Sequence, residues 1–308
     1  MNVENLPSLH KDIQIYSRAE FSKFFRQKHW RLLQAAFNSS EKRPRYGEAA
    51  IIEEILAPYQ ELASLALPTT NTQIPRHIWI LWQQGWDKAP PLVKACAKSW
   101  QEMNPNWQVH LVEEKTIKDF APAYEKILAP KASRTARSNI ARLSLLLENG
   151  GVWADSTLFC QQPLDQWLPK VTQSGFFMFS EPRPYRYSDI WFLASAASTP
   201  LISAWLNMVG QYWSHFNRPH HYYWMEYLFE FLANNNDEVT KTWNSTFRLS
   251  ALGPLITQGL PFEKNVPQNT IKAIKERIIP AHKLSHKWRY SKSLDATPVG
   301  LLTGLKKL

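Results

Sequence analysis

The sequence predicts an α/β fold: a mostly parallel β-sheet flanked by helices, preceded by an N-terminal helical extension. Three observations carry that prediction. From Ile74 onward, short apolar runs rich in β-branched and aromatic residues alternate with helical segments, as in a sheet covered on both faces. The polar stretch LPTTNTQ separates these runs from two helical segments, which divides the chain into an extension, 1–72, and a main domain, 73–308. A hydrophobic content of 44% against 20% charged residues suffices for a sizeable core and excludes a disordered chain.

In the extension, residues 17–37 interleave Phe21, Phe24, Phe25, Trp30, Leu33 and Phe37 with Arg18, Lys23, Arg26, Lys28 and Arg31. Such a helix either packs its aromatic face on a domain, the commoner use, or lies on an anionic membrane surface. A second helix is expected over 47–65. The main domain opens with IPRHIWILW, a buried strand bounded by Pro75 and Gly85. A helix follows over 91–103, with Pro91 suited to its first turn, then the strand WQVHLVEE and helical material over 115–127. A helix over 134–148 puts Ile140, Leu143 and Leu147 on one face and Ser138, Asn139 and Arg142 on another. Gly150 and Gly151 end it. VWADSTLF, GFFMFSE and IWFLASA are further strands, helices dominate 199–234, and a basic tail closes the chain over 271–308 around KLSHKWRY.

A net charge of +10 favours an anionic partner: nucleotide phosphates, nucleic acid, an acidic glycan or an anionic membrane. Nucleic acid is set aside, because no RNP, KH or zinc-finger pattern accompanies the charge. The two cysteines, Cys96 and Cys160, stand in no CxxC or CxxH spacing, which argues against a zinc site and for a reducing, cytoplasmic setting. The start, MNVENLPSLHKD, lacks the marks of a secretory signal, and no run reaches the roughly 20 apolar residues that span a bilayer. Membrane contact is therefore expected to be peripheral, at the inner face of the cell membrane, through the basic N-terminal helix.

Several side chains suit a phosphorylated, ring-bearing ligand. Asp155 follows a double glycine and a strand, at a sheet terminus where open α/β sheets bind ligands; its plain alternative is a turn aspartate. Arg142 can bind phosphate or form a surface ion pair. Trp82, at the end of the first strand, can stack on a base or fill core. His282, Ser285, His286 and Lys287 form a compact donor cluster in a tail that is otherwise simply solvated. Glu181, in FSEPRPYRY, and Glu226, in YYWMEYLF, are carboxylates in aromatic settings, each an ordinary glutamate by default.

Taken in order, IPRHIWILWQQGWDKAPPLVKACAKSW, ARSNIARLSLLLENGGVWADSTLF, the pair Gly253 and Pro254, and HKLSHK resemble the capsular polysaccharide synthesis glycosyltransferases. These are a branch of the DXD-containing sugar transferases that includes yeast initiating mannosyltransferases and clostridial glucosylating toxins. The resemblance implies a GT-A fold, a nucleotide-diphospho-sugar donor, UDP-sugar first among them, retention of configuration, and a glycan or lipid-linked glycan acceptor. It implies that Trp82 stacks on the base with Gln84 beside it. Arg142, with Ser138 and Asn139, would bind sugar and phosphate, Asp155 the ribose and sugar hydroxyls, and Ser285, His286 and Lys287 would close over the diphosphate. Two departures matter. Asn139 replaces the family's aspartate, and Thr157 stands where the second Asp of DXD would hold Mn²⁺ or Mg²⁺, leaving Asp155 as the one carboxylate for a metal. With metal dependence in doubt, Arg142, Lys283, His286 and Lys287 are the candidates to neutralise the leaving diphosphate. A front-face transfer is expected, with Glu226 and Glu181 as alternative nucleophiles. The rival reading is a catalytically silent protein of the same fold that binds anionic glycan or membrane.

Overall fold

The computed structural model describes residues 14–38, 49–69, 74–127, 132–183 and 186–308. The chain start, the residues around Gly47 and the end of the 67–73 linker lie outside these. Seven strands are described: β1 His77–Leu81, β2 Gln108–Val112, β3 Gly151–Ala154, β4 Leu158–Cys160, β5 Phe176–Arg183, β6 Arg186–Ser195 and β7 Ala281–Lys283. The helices are α1 Arg18–Asn38, α2 Ala49–Ser64, α3 Pro91–Met103, α4 Ile117–Phe120, α5 Ala123–Ile127, α6 Arg134–Asn149, α7 Leu164–Val171, α8 Pro200–His215, α9 Trp224–Asn235, α10 Asp237–Ser245, α11 Leu252–Gly259, α12 Gln268–Lys275 and α13 Pro298–Thr303.

The main sheet has the order β2-β1-β3-β6-β5. β1 runs parallel to β2 and β3, and β6 runs antiparallel to both β3 and β5, so β6 alone opposes the rest. This is the expected mostly parallel sheet flanked by helices. Strand side chains alternate between faces, and the two faces fill two cores. Trp79, Trp153, Met178 and Leu193 pack with α6, α8 and α9 on one side. Ile78, Val152, Phe177 and Phe192 pack with α2, α7 and α11 on the other. Burial on both faces explains why these strands read as continuous apolar runs.

Three local differences from the sequence reading have plain causes. VWADSTLF is two strands, because Asp155 donates its backbone N–H to Trp191 O at 2.9 Å and accepts from Leu158 N at 2.8 Å, a turn that swings β4 off the main sheet. There β4 pairs antiparallel with β7, Leu158 opposite Lys283. The 115–127 helix breaks into α4 and α5 before Pro122, since a residue preceding proline is pushed out of helical conformation. GFFMFSE and IWFLASA form an antiparallel pair whose register shifts between Met178 and Arg183.

The double glycine is required by geometry. Gly150 and Gly151 have φ of +65° and +97°. A Cβ on Gly151 would lie 2.4 Å from His77 O, so β1 and β3 can pair only if that atom is absent. α1 packs by its aromatic side: Phe21 and Phe25 are buried with Tyr16 in the same core as Trp79 and Leu193. Trp30 stays 63% exposed. Among the described residues no helix is long and apolar enough to cross a membrane.

Candidate active site

The first cluster forms where β3 ends. Asp155 Oδ1 accepts from Trp153 Nε1 at 2.9 Å and from Arg142 Nη2 at 3.2 Å, while Lys283 Nζ lies 3.2 Å from Oδ2. α6 delivers Arg142. Ser133 caps that helix by accepting from Ala136 N, and the apolar face of α6 is buried. Arg142 in turn donates to Ile190 O on β6 and stands 5.0 Å from the centre of the Trp153 ring. Lys283 is delivered by the β4–β7 pairing, and Leu284 N donates to Thr157 O at 2.8 Å. Burial pushes the Asp155 carboxyl up, but the Lys283 ammonium, the Arg142 guanidinium and the Trp153 and Lys283 hydrogen bonds outweigh it and hold the group below its usual range. Burial also lowers the Arg142 guanidinium, against the opposing pull of Asp155 and Glu226.

The second feature is a cleft of about 410 Å³, within the ordinary range for a small-molecule site. Trp82 and Gln84 from the end of β1 and Ser285 and His286 from the C-terminal segment line it together, joined by Trp288 and Tyr290. The Trp82 and His286 rings meet edge to face at 5.3 Å. Trp82 is 8% exposed, and its buried Nε1 finds no hydrogen-bond partner among the described residues. His286 is exposed at the cleft, and its imidazole is held below the usual histidine range, first by partial desolvation and then by Lys283, Lys287 and Arg289, with Asp155 opposing them.

A third group lies beside the first. Arg186 and Asp189 form a buried ion pair at 3.0 Å. Glu226, on the first turn of α9, is buried, and its Oε2 has no hydrogen-bond partner among the described residues. Burial raises its carboxyl to about 7, Asp189 adds to this, and Arg186 and Arg142 oppose it. Glu226 and Asp155 thus share Arg142 as an electrostatic neighbour.

The donor set does not fit a divalent metal. Both oxygens of Asp155 are engaged by cations or the Trp153 N–H, and the Thr157 hydroxyl accepts from Lys283 Nζ at 2.5 Å. The lysine ammonium therefore bridges the side chains of Asp155 and Thr157. Among the described residues no group of three or more His, Cys, Asp or Glu could hold a metal ion.

The structure brings Arg142 and Asp155 into contact and gathers Trp82, Gln84, Ser285 and His286 on one cleft. Asn139 is buried on α6, three residues before Arg142, and Ser138 is half-buried a turn before Arg142. Lys287 is exposed, its N–H on Ser285 Oγ at 3.3 Å. Glu181 is not brought to the cluster: it is exposed at the β5 irregularity with φ +53°, and its charge acts on Arg248. His282 leaves the expected diphosphate clamp, because it points into the core from β7, bonds Gln161 Oε1 at 2.9 Å, and is pushed by burial to a pKa of about 3. Sequence reasoning did not single out Arg186, Asp189, Trp288 or Tyr290. Trp288 and Tyr290 sit in the KLSHKWRY tract that marked the tail, and Arg186 and Asp189 stand three residues apart on β6, so their pairing is local, whereas the approach of Glu226 on α9 to that pair is announced by no local pattern.

Fold and site together define an α/β protein that gathers a carboxylate, a guanidinium and an ammonium at the carboxyl ends of a mostly parallel sheet, near an aromatic cleft. Within that class, residues 34–299 match the family described as Capsular polysaccharide synthesis protein, and the chain belongs to that family. It is 22% identical over 186 residues to the O-glycosyltransferase PaGT of Phomopsis amygdali, covering 54% of this chain and 43% of that protein. It is 27% identical over 175 residues to inositol phosphoceramide mannosyltransferase 1 of Schizosaccharomyces pombe, covering 54% of this chain and 50% of that protein. The chain thus spans about half the length of these curated relatives. A solved structure, the PaToxG glycosyltransferase, aligns with a TM-score of 0.42 and 14% identity over 63% of this chain and 81% of that one.

Proposed function

We propose that the protein is a retaining glycosyltransferase that moves a sugar from a nucleotide-diphospho-sugar, UDP-sugar first among the candidates, to a hydroxyl of a cell-surface glycan or lipid-linked glycan, and that it does so without a divalent metal. The observation that carries this reading is the Lys283 ammonium lying between Asp155 Oδ2 and Thr157 Oγ1. A fixed cation there replaces the electrostatic contribution of a metal, since it stabilises negative charge developing on the departing diphosphate. Arg142 adds a second cation, and Asp155, kept ionised by both, accepts hydrogen bonds from sugar or ribose hydroxyls. Trp82 offers a ring face to the base, and Trp288 and Tyr290 extend that aromatic wall.

The step is a front-face displacement. The bond from the anomeric carbon to the phosphate oxygen breaks, and the nucleoside diphosphate leaves with the electron pair. The acceptor oxygen attacks from the same face, and its proton passes to the departing phosphate. Glu226 is the alternative nucleophile, but a carboxyl that titrates near 7 is only partly ionised at neutral pH, which favours the front-face route. Transfer at the inner face of the cell membrane, in the cytoplasm, agrees with the net charge of +10 and the basic α1.

The test is a donor screen by mass spectrometry with UDP-, GDP- and other nucleotide sugars, each with Mn²⁺ and with EDTA, following free nucleotide. Turnover of one donor that survives EDTA is the expected result. Turnover abolished by EDTA overturns the metal-free part, and absence of both turnover and donor binding overturns the transferase reading. Binding of a donor without turnover supports the rival reading, a silent protein that binds glycan.

A further inference from the structure

A second cavity, of about 420 Å³, opens between α1 and the segment that joins α8 to α9, and nothing in the chemistry above uses it. Its walls include Phe25, Arg26, His29, His220, His221 and Tyr227. The rings are paired: His220 lies flat on Phe25 at 4.8 Å, and His221 lies 5.2 Å from Tyr227. Such faces suit the C–H surface of a sugar ring. The charge around them is positive. Arg26 and His29 are exposed on the α1 wall, while Lys28 is joined to Glu230 in a buried ion pair. His220 is held below its usual range by burial and then by Arg218 and Arg18, and His221 by burial and then by His29 and Arg186.

One short loop connects this cavity to the candidate active site. His220 and His221 face the cavity, whereas Tyr223 covers the Arg186 guanidinium at 3.9 Å and donates its backbone N–H to His221 Nδ1 at 3.1 Å. The Tyr222 phenol feels the charges of Glu226, Asp155 and Arg142. At the inner side stands Arg186, buried, with one nitrogen on Asp189 and with Nε and Nη1 lacking any hydrogen-bond partner among the described residues. Buried guanidinium N–H groups are costly to leave unpaired, and carboxylates and phosphates are the groups that satisfy them best.

We propose that this cavity is the acceptor pocket and that it takes a sugar bearing a compact anion, a carboxylate or a phosphate, with Arg26 and His29 on its α1 wall, His220 and His221 on the facing wall, and the Arg186 charge behind Tyr223. The word acceptor rests on the transferase reading; the anion site rests on the cavity itself. A carboxylate would come from an acidic sugar of the glycan, a phosphate from a lipid-linked or phosphorylated acceptor.

The experiment uses the full chain with excess UDP, so that added phosphate cannot occupy the donor site, and UDP binding is followed in the same samples by tryptophan fluorescence. Histidine side-chain NMR signals, assigned with His29→Gln, His220→Gln and His221→Gln, are titrated with sodium glucuronate, inorganic phosphate and, as a neutral control, glucose. Saturable shifts at His220 and His221 with either anion and not with glucose, together with an upward move of the His221 titration, are expected. Response to glucuronate alone identifies the carboxylate source, and response to phosphate alone identifies the phosphate source. The Arg26→Gln/His29→Gln double variant should weaken the anion about tenfold, the scale of two partly exposed charges. No saturable shift while UDP still binds, or an equal response to glucose, overturns the proposal and leaves the transferase reading intact. Anion binding by a chain that binds no nucleotide overturns the acceptor assignment along with that reading.

Discussion

At Lys283 the arrangement makes a sharp demand. If its ammonium stabilises the leaving diphosphate, Lys283→Met should lower donor turnover by about 10²–10³-fold, the scale of removing one preorganised charge-stabilising group, with a smaller loss in Lys283→Arg. Nucleotide release by mass spectrometry measures it; an equal loss in both variants, or none, would remove Lys283 from the mechanism. Glu226 and Asp155 make opposite contributions to stability against pH. Asp155 is held below its unfolded value, so its contribution is present above that value and lost only as pH falls through the lower folded one. Glu226 is raised to about 7, so its neutral form is favoured by the fold, and that contribution is complete below its unfolded value and lost as pH rises through about 7. Between pH 5 and 8, where Asp155 stays ionised, the urea midpoint should fall in the native chain relative to Glu226→Gln. Parallel curves for the two would show that Glu226 titrates near its ordinary value.

At the scale of elements, α1 divides cleanly between buried and exposed rings. Phe21 is 1% exposed, in contact with Tyr212 at 5.8 Å, and Trp30 is 63% exposed. Phe21→Ala should cost about 3–5 kcal/mol in urea unfolding, whereas Trp30→Ala should stay within about 0.5 kcal/mol. Comparable losses at both positions would mean that α1 packs by a different face. The β1–β3 pairing makes a second demand, since Gly151 combines a left-handed φ with the near approach of His77 O. Gly151→Ala is expected to lower the melting temperature by far more than Ala154→Gly, because the added methyl must displace backbone rather than a flexible side chain. The helices and strands themselves are readable from local pattern: the 91–103 and 134–148 helices agree with α3 and α6 to within a residue. The break at Asp155 is not, because a turn inside an apolar run is decided by what its backbone groups find, here Trp191 O and the β7 strand more than a hundred residues away.

For the molecule as a whole, a charge of +10 should make nucleotide binding depend on salt. The UDP dissociation constant, read by Trp82-sensitive fluorescence, should rise severalfold between 50 and 500 mM NaCl, the range over which the Debye length shrinks from about 14 to 4 Å. A flat response would show that contacts with base and sugar, not the field, carry the affinity. Local pattern along the chain is enough to specify the α/β alternation, the mostly parallel sheet and the double glycine, and to single out Trp82, Arg142, Asp155 and His286 as candidates, because each stands in a periodicity or in a motif a few residues long. Long-range packing is what puts Lys283 on Asp155 and Thr157, turns His282 into the core, keeps Glu181 apart, and brings Glu226 to the local Arg186–Asp189 pair beside Arg142. Those are contacts between strands and helices far apart in the chain, set by β4–β7 and β5–β6 pairing and by the packing of α9 on β6, and no window along the sequence contains both partners.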